Sequence, residues 1–351
     1  MGGETSSMLV FRFTPHAWLR VRASTPWLRE HFQAEYAYHR TTSEQSGTPY
    51  VALDWSPPRA VPTSIRAASR WAWHKGLAFW RYAVQPEAEG LHLWAWGNRW
   101  AGVLIQHMLV HHGLHWLLSQ RGTLLLHAGA VVIDGQSWLL IARGGVGKTA
   151  LTAHLLAQLG PQRAQLHSDD FVFIAPHAHP PQSNAYITRA HLYQHHLKAI
   201  PGLAARLHAA EIRRLRWLGW VRRLSRGRLR WAVRVPLSRL WPGYRVADRA
   251  TVGGWIWLEP GPTCRGPEPW PANAAHEAIV AMQFYEARHF IRLVERARPK
   301  NWPADWLDSW HAREAALVAA LLQARPGYRL IVPPGRDLSL CAQALQSLVE
   351  S

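Results

Sequence analysis

The run 139–149, Leu-Leu-Ile-Ala-Arg-Gly-Gly-Val-Gly-Lys-Thr, sets an apolar stretch ahead of glycines, a lysine and a hydroxyl. A chain that must hold phosphate needs those residue types in that order. Glycines let the backbone curl until its N–H groups point inward at phosphate oxygens. A helix opening directly afterwards adds free amides and partial positive charge. The predicted cradle is Gly144, Gly145, Val146, Gly147, Lys148 and Thr149. Lys148 then reaches the β- and γ-phosphates of ATP or a close relative, and the Thr149 hydroxyl holds Mg²⁺. The usual pattern begins with glycine, where this chain has Ala142. A methyl group fits there if φ is negative. The competing reading is a glycine-rich strand-to-helix turn with an exposed lysine.

Asp169 and Asp170 follow about 20 residues after Lys148, at the end of a short apolar strand. Phosphoryl transfer needs one acid to position Mg²⁺ and another to take the proton from the attacking hydroxyl. Neighbouring residues on a strand point to opposite faces, so one aspartate faces the phosphate while the other supports it. Standing alone, Ser168-Asp169-Asp170 reads as a capped turn between strands.

Upstream lies His127-Ala-Gly-Ala-Val-Val-Ile-Asp-Gly, about 15 residues before the glycine loop. This run, the loop and the Ser-Asp-Asp triplet, in this order and spacing, resemble the catalytic core of HPr kinase/phosphorylase and its wider group of serine kinases. The matched stretch covers about 50 residues. The group shares a nucleotide-binding fold with ATP-dependent phosphoenolpyruvate carboxykinase. The resemblance implies an α/β fold: a P-loop kinase domain with a mixed, strand-rich central sheet and flanking helices. It implies ATP and Mg²⁺ as cofactors, Asp169 as the base that activates an acceptor hydroxyl, and Asp170 as a supporting acid. Thr149 and Asp170 become the metal ligands, and His127 the histidine beside the acidic pair. In the bifunctional enzymes a Glu-Ile-Arg-Gly segment follows the acidic pair. Here no Asp or Glu occurs between Asp170 and Glu211, and Tyr186–Ile200 offers Thr188, Arg189 and histidines instead. That departure points to a diverged branch acting on peptides or small molecules.

The elements needed to position these groups are legible in outline. Strands are predicted at Leu124–His127, Ala130–Ile133 and Ser137–Ile141, with Asp134-Gly135 as a hairpin turn. A helix is predicted from Lys148 to about Leu159, stopped by Gly160-Pro161. Ala164–His167, Phe171–Ile174, Val252–Leu258 and Arg329–Val332 read as further strands. Helices are predicted over Arg99–Gln120, Ala274–Arg288, Trp310–Gln323 and Asp337–Val349. Ahead of them, Met8–Phe13, Leu19–Ala23, Val51–Trp55 and Leu91–Trp96 read as strands, with a helix at Pro26–Gln33. The predicted organisation is a small α+β, strand-rich N-terminal domain over 1–97 and the kinase-like domain over 98–351.

The 351 residues carry a formal charge of +18 and a pI near 11.0, a surface that attracts polyanions. The 21 tryptophans are expected mainly in packing. Two cysteines, far apart in sequence, outline no disulfide framework. The N-terminal Met1–Ser7 lacks a basic and apolar leader. The longest apolar candidate, Trp100–Leu118, is broken by Gln106, Gly113 and four histidines. A cytoplasmic location is the expectation. His191 and His195, four apart, would share a face if helical and hold a metal, but no third ligand is evident. A polar loop is the preferred reading there.

Residues 211–239 form a basic insertion with ten arginines, Trp217, Trp220 and Trp231. Arg213–Arg239 is open to an anionic membrane surface, an acidic or phosphorylated substrate, or nucleic acid. Substrate binding is preferred. The leading expectation is an ATP-dependent kinase that phosphorylates a serine-like hydroxyl of a peptide, protein or small molecule. The acceptor, such as a precursor peptide, is not named by the sequence, and a homo-oligomer is among the expected assemblies. The alternatives are an inactive NTP-binding regulator or scaffold and a nucleic-acid-stimulated ATPase.

Overall fold

A computed structural model describes the chain except residues 1–7, 43–47, 75–76, 228, 230, 298–301, 336 and 351. Met1–Ser7 and Arg228 and Arg230 of the basic insertion thus lie outside the described residues. The chain is mixed α/β and divides into two compact units. One comprises residues 1–125 and 283–317, the other 126–282 and 318–351. This division does not follow the boundary at residue 97: the first unit also takes in a long helix after that point and a return segment from the C-terminal third.

The first unit is built on strands β1 (Leu9–Thr14), β2 (Ala17–Ala23), β3 (Arg40–Thr41), β4 (Tyr50–Trp55), β5 (Arg70–His74), β6 (Ala78–Pro86) and β7 (Gly90–Gly97). They form one sheet in the order β3-β1-β2-β4-β7-β6-β5. β2, β4 and β7 run parallel, and the flanking pairs are antiparallel. Pro26 occupies the first turn of the helix Pro26–Glu35, where its missing N–H costs nothing. That helix buries Leu28 and Phe32, one turn apart. The predicted helix over 99–120 appears as Ala101–Ile105 and His111–Ser119 joined by a wide π-helical turn at Gln106–Val110. Trp55, Trp80 and Trp94 are fully buried, as aromatic packing requires, whereas Trp71 and Trp100 are exposed. A polar network sits inside this unit. The His115 ring nitrogen lies 2.8 Å from Glu314, and Gln283 donates to both Glu314 at 2.9 Å and the Leu125 carbonyl at 2.8 Å. Glu314 is fully buried, so these partners offset a desolvated carboxylate.

Strand β8 (Leu124–Leu126) spans the junction of the two units. The second unit holds β9 (Ala128–Ile133), β10 (Gln136–Ile141), β11 (Ala164–Ser168), β12 (Val172–Ala175), β13 (Gln182–Asn184), β14 (Ala190–Leu192), β15 (Val233–Val235), β16 (Arg249–Pro260), β17 (Arg265–Pro269) and β18 (Gly327–Val332). Its sheet runs β11-β9-β10-β16-β13-β12, with β18 also on β16 and β17 on β18; β14 and β15 pair separately. β9 and β10 are antiparallel, joined by Asp134 at φ 48° and Gly135 at φ 83°. Both left-handed residues are what a type I′ turn requires. β10 and β16 are parallel, as are β16 and β18, which makes the sheet mixed. The helix after the glycine loop runs Lys148–Arg163, but Gly160 at φ 71° breaks its helical backbone where Gly160-Pro161 was expected to stop it. Cys264 and Cys341, remote in sequence, come together: burial, and then the Cys264 thiol, push the Cys341 ionisation up.

Gly327 pairs with Trp255, and a Cβ there would overlap the buried indole. Gly327→Ala is expected to destabilise this unit by about 1–3 kcal/mol, because the ring must leave its rotamer. Urea unfolding followed by circular dichroism reads the change; an unaltered midpoint removes the close-packing argument.

Among the described residues no helix is long and apolar enough to cross a membrane.

Candidate functional site

Strand β10 ends at Ile141, the loop 142–147 turns, and the helix opens at Lys148. The loop is anchored and open at once. Ala142 and Val146 are buried in the core shared with Leu151 and Leu155, while Arg143, Gly144 and Gly145 are exposed. Gly145 has φ 88° and Gly147 φ 133°, conformations that an L side chain strains to adopt. The described non-glycine residues with positive φ are Asp134 and Arg226, so Ala142 takes an ordinary backbone and needs no glycine. An added Cβ at Gly144 or Gly145 would meet nothing within 4 Å, so the loop rim faces open space.

The Lys148 side chain is buried, not exposed, and is held by three groups. Its Nζ donates to the Ala142 carbonyl at 2.9 Å and to His127 Nε2 at 3.0 Å, and lies 3.9 Å from Asp170 Oδ1. An ammonium can only donate, so His127 Nε2 accepts and the ring proton sits on Nδ1. His127 Nδ1 lies 3.6 Å from Asp170 Oδ1. Burial, and then the Lys148 charge, lower the His127 pKa to about 4 against the pull of Asp170. The imidazole is therefore neutral near pH 7, which matches its role as acceptor from the lysine.

The two aspartates follow β11 and occupy different surroundings. Asp170 is partly exposed, its side chain about one-third accessible, and faces Lys148 and His127. Asp169 is buried, and its Oδ1 has no hydrogen-bond partner. Burial, and then the Asp170 charge, raise its pKa from 3.8 to about 6, opposed by a hydrogen bond with Thr149 and by Lys148. The neighbouring Ser168 hydroxyl bonds the Phe171 carbonyl, which fixes the turn that carries the pair. Gly129 was not singled out from the sequence. A Cβ there would come 3.3 Å from the Asp169 carbonyl oxygen, a tight approach, so a glycine in β9 gives the Asp169 backbone room against this strand. Its signal was present in the His-Ala-Gly run.

His127, Lys148, Thr149, Asp169 and Asp170 thus converge at one helix N-terminus, next to the glycine loop. Hydroxyl and carboxylate oxygens are hard donors of the kind Mg²⁺ takes, while its remaining positions go to water and phosphate. Thr149 and Asp170 fit that donor set, and Asp169 Oδ1 beside them is a buried polar atom without a partner. Among the described residues no group of three or more His, Cys, Asp or Glu is arranged to hold a metal without such outside ligands.

Other expected groups lie elsewhere. His191 sits in strand β14 and His195 precedes the short helix His196–Ala199, so the two do not share a helical face. Arg189 donates to the Arg234 carbonyl at 2.7 Å, tying β14 to β15. Glu211, the first acid after Asp170, accepts from the His208 backbone and from Arg239, and so serves a helix start and an ion pair. In the basic insertion, the helix Ala209–Leu224 buries Leu215 and Leu218 but leaves Trp217 and Trp220 more than half exposed. Of Ile212, Leu215, Leu218, Val221 and Leu224, apolar residues that recur every third position along this helix, Leu215 and Leu218 are buried while Leu224 is exposed, so that row is only partly a core face.

No family model matches the chain, and no curated protein matches it. Among solved structures it is similar to the Hpr(Ser) kinase/phosphatase from Coxiella burnetii, at 12% identity and a TM-score of 0.30, over 64% of this chain and 96% of that chain. A TM-score this low does not establish a shared fold.

Proposed function

We propose that the second unit is an ATP- and Mg²⁺-dependent phosphotransferase that moves the γ-phosphoryl group to a hydroxyl, serine-like in kind, on a peptide, protein or small molecule. One observation carries the reading. A buried carboxylate with a raised pKa and a free oxygen stands beside Lys148 at the mouth of a positive-φ glycine loop. The loop amides and Lys148 hold the β- and γ-phosphates, with Lys148 leaving the Ala142 carbonyl to do so. Thr149 and Asp170 would hold Mg²⁺, which neutralises phosphate charge when bound. The acceptor oxygen forms a bond to the γ-phosphorus as the bond to the β–γ bridging oxygen breaks. ADP leaves with that electron pair, and the acceptor proton passes to Asp169 Oδ1. A base with a pKa near 6 is ionised at neutral pH yet still basic enough to take a proton. Neutral His127 orients both Lys148 and Asp170.

Purified chain with γ-labelled ATP, Mg²⁺ and a panel of serine-containing peptides tests the reading by transfer of label. Under this mechanism kcat/KM rises with pH through about 6, as Asp169 loses its proton. A profile flat across that range takes the proton-accepting role from Asp169. Nucleotide binding with neither transfer nor hydrolysis, unchanged by any acceptor, favours instead an NTP-binding regulator. The engagement of Glu211 with Arg239 is the observation behind that second reading, since no free acid follows Asp170 in the sequence until Glu211.

A further inference from the structure

We propose that the second unit carries another anion site, in the cleft between Tyr193–His195 and the C-terminal end of the helix Ala209–Leu224, which takes the phosphate monoester of a molecule that also carries a planar ring. The cleft has a volume of about 460 Å³ and brings Arg222, Arg223 and Arg226 together with Tyr193, His195 and Trp231. No acid among the described residues lines it. Among the described residues no ion pair joins Arg222, Arg223 or Arg226 to a carboxylate. Guanidinium forks match phosphate oxygens in geometry and charge, and a site with several of them selects a multiply charged anion.

The aromatic wall supplies the second half of the recognition. Tyr193 and His195 lie nearly parallel, 6° apart in plane with centroids 5.8 Å apart, and the Arg222 guanidinium stands 5.9 Å from the Tyr193 ring centre. Burial, and then the Arg222 charge, lower the His195 pKa, so its ring is an uncharged stacking surface. Rings of this kind hold planar ligands by stacking.

Two backbone features show that the cleft is built rather than incidental. Gly219 lies against Gln194, and a Cβ there would collide with that side chain. The glycine lets the helix approach the 193–195 segment, which places Arg222, one turn later, over Tyr193. Arg226 takes φ 49°, a left-handed conformation that glycine favours at a helix end. Its N–H bonds the Arg223 carbonyl at 3.0 Å, and the Gly227 N–H bonds the Arg222 carbonyl at 2.8 Å. The chain thus keeps a strained arginine at a position where glycine closes helices, and Arg226 lines the cleft.

This site is independent of the phosphoryl-transfer reading, and its test is run so that the two fail separately. Full-length chain carrying Lys148→Ala, which weakens the loop site, is titrated calorimetrically with inorganic phosphate, phenyl phosphate, a nucleoside monophosphate and a phosphotyrosine peptide. Phenyl phosphate is expected to bind at least ~10-fold more tightly than inorganic phosphate, from stacking added to charge. Whichever of the last two binds more tightly tells whether the ring comes from a nucleoside or a peptide. Arg226→Gly added to this chain is expected to weaken phenyl phosphate ~10- to 100-fold, since it removes a charge-assisted contact. The same change keeps or raises the thermal midpoint, because glycine relieves the positive φ; a purely structural arginine gives no such split. Equal binding of phosphate with and without a ring, no binding of either, or full affinity in Arg226→Gly overturns the proposal.

Discussion

Asp169→Asn is expected to end phosphoryl transfer and, at the same time, to stabilise the second unit above about pH 6. The first effect follows from the proposed proton transfer. An amide cannot accept the proton, and loss of a general base costs about 10²- to 10⁴-fold in rate. The second follows from burial. The Asp169 carboxyl titrates near 3.8 when unfolded and near 6 when folded. Below about pH 4 both states are protonated and the residue is neutral in each. Between those values the folded state keeps a proton that the unfolded state has released, which favours folding relative to higher pH. That contribution is lost as pH rises through about 6, where the folded protein must hold a buried charge. The difference of about two pKa units amounts to roughly 3 kcal/mol. Asparagine removes this cost while its carbonyl still accepts from Thr149. Urea unfolding of both proteins at about pH 8 should therefore show the variant more stable by up to about 3 kcal/mol, with the gap closing at about pH 4. An equal gap at both pH values means that Asp169 does not carry the buried charge. Retained transfer means that it is not the base.

Lys148→Ala is expected to weaken ATP binding about 10- to 100-fold, from the loss of charge-assisted contacts to phosphate. Turnover should fall further, by about 10²- to 10³-fold, because charge developing on the transferred group loses its preorganised partner. The structure adds a readout independent of nucleotide. The Lys148 charge is the second cause, after burial, of the low His127 pKa near 4, and Asp170 opposes both. With the ammonium gone, Asp170 acts on the imidazole unopposed by a cation, and the His127 pKa should rise. NMR titration of the His127 ring follows this directly. A ring that still titrates near 4 shows that burial alone governs it, and a variant that binds ATP at full strength removes the loop from the site.

The glycine loop shows how much was readable in advance. Its strand, its turn and its helix start lie within a dozen residues, and glycine conformations and apolar spacing are local properties. The stop at Gly160-Pro161 and the Asp134-Gly135 turn were legible for the same reason: each depends on the φ of one or two residues. The cleft that holds Arg222 and Arg226 was not. The sequence showed a basic, tryptophan-rich stretch, but not which arginines would meet Tyr193 and His195 across the chain.

Local chemistry therefore determined the glycine loop, the acidic pair as a turn after a strand, and the type of most elements around them. Tertiary structure alone decided that β10 lies parallel to β16, that residues 283–317 return to the first unit, and that the Cys264 and Cys341 thiols meet. Each of those pairings closes a long loop, and its reward lies in packing that no short window of sequence contains. The protonation of the site belongs to the same class. Asp169 and Asp170 are adjacent and chemically identical. Burial beside Thr149 raises one, exposure beside Lys148 and His127 leaves the other accessible, and only the fold sets those surroundings.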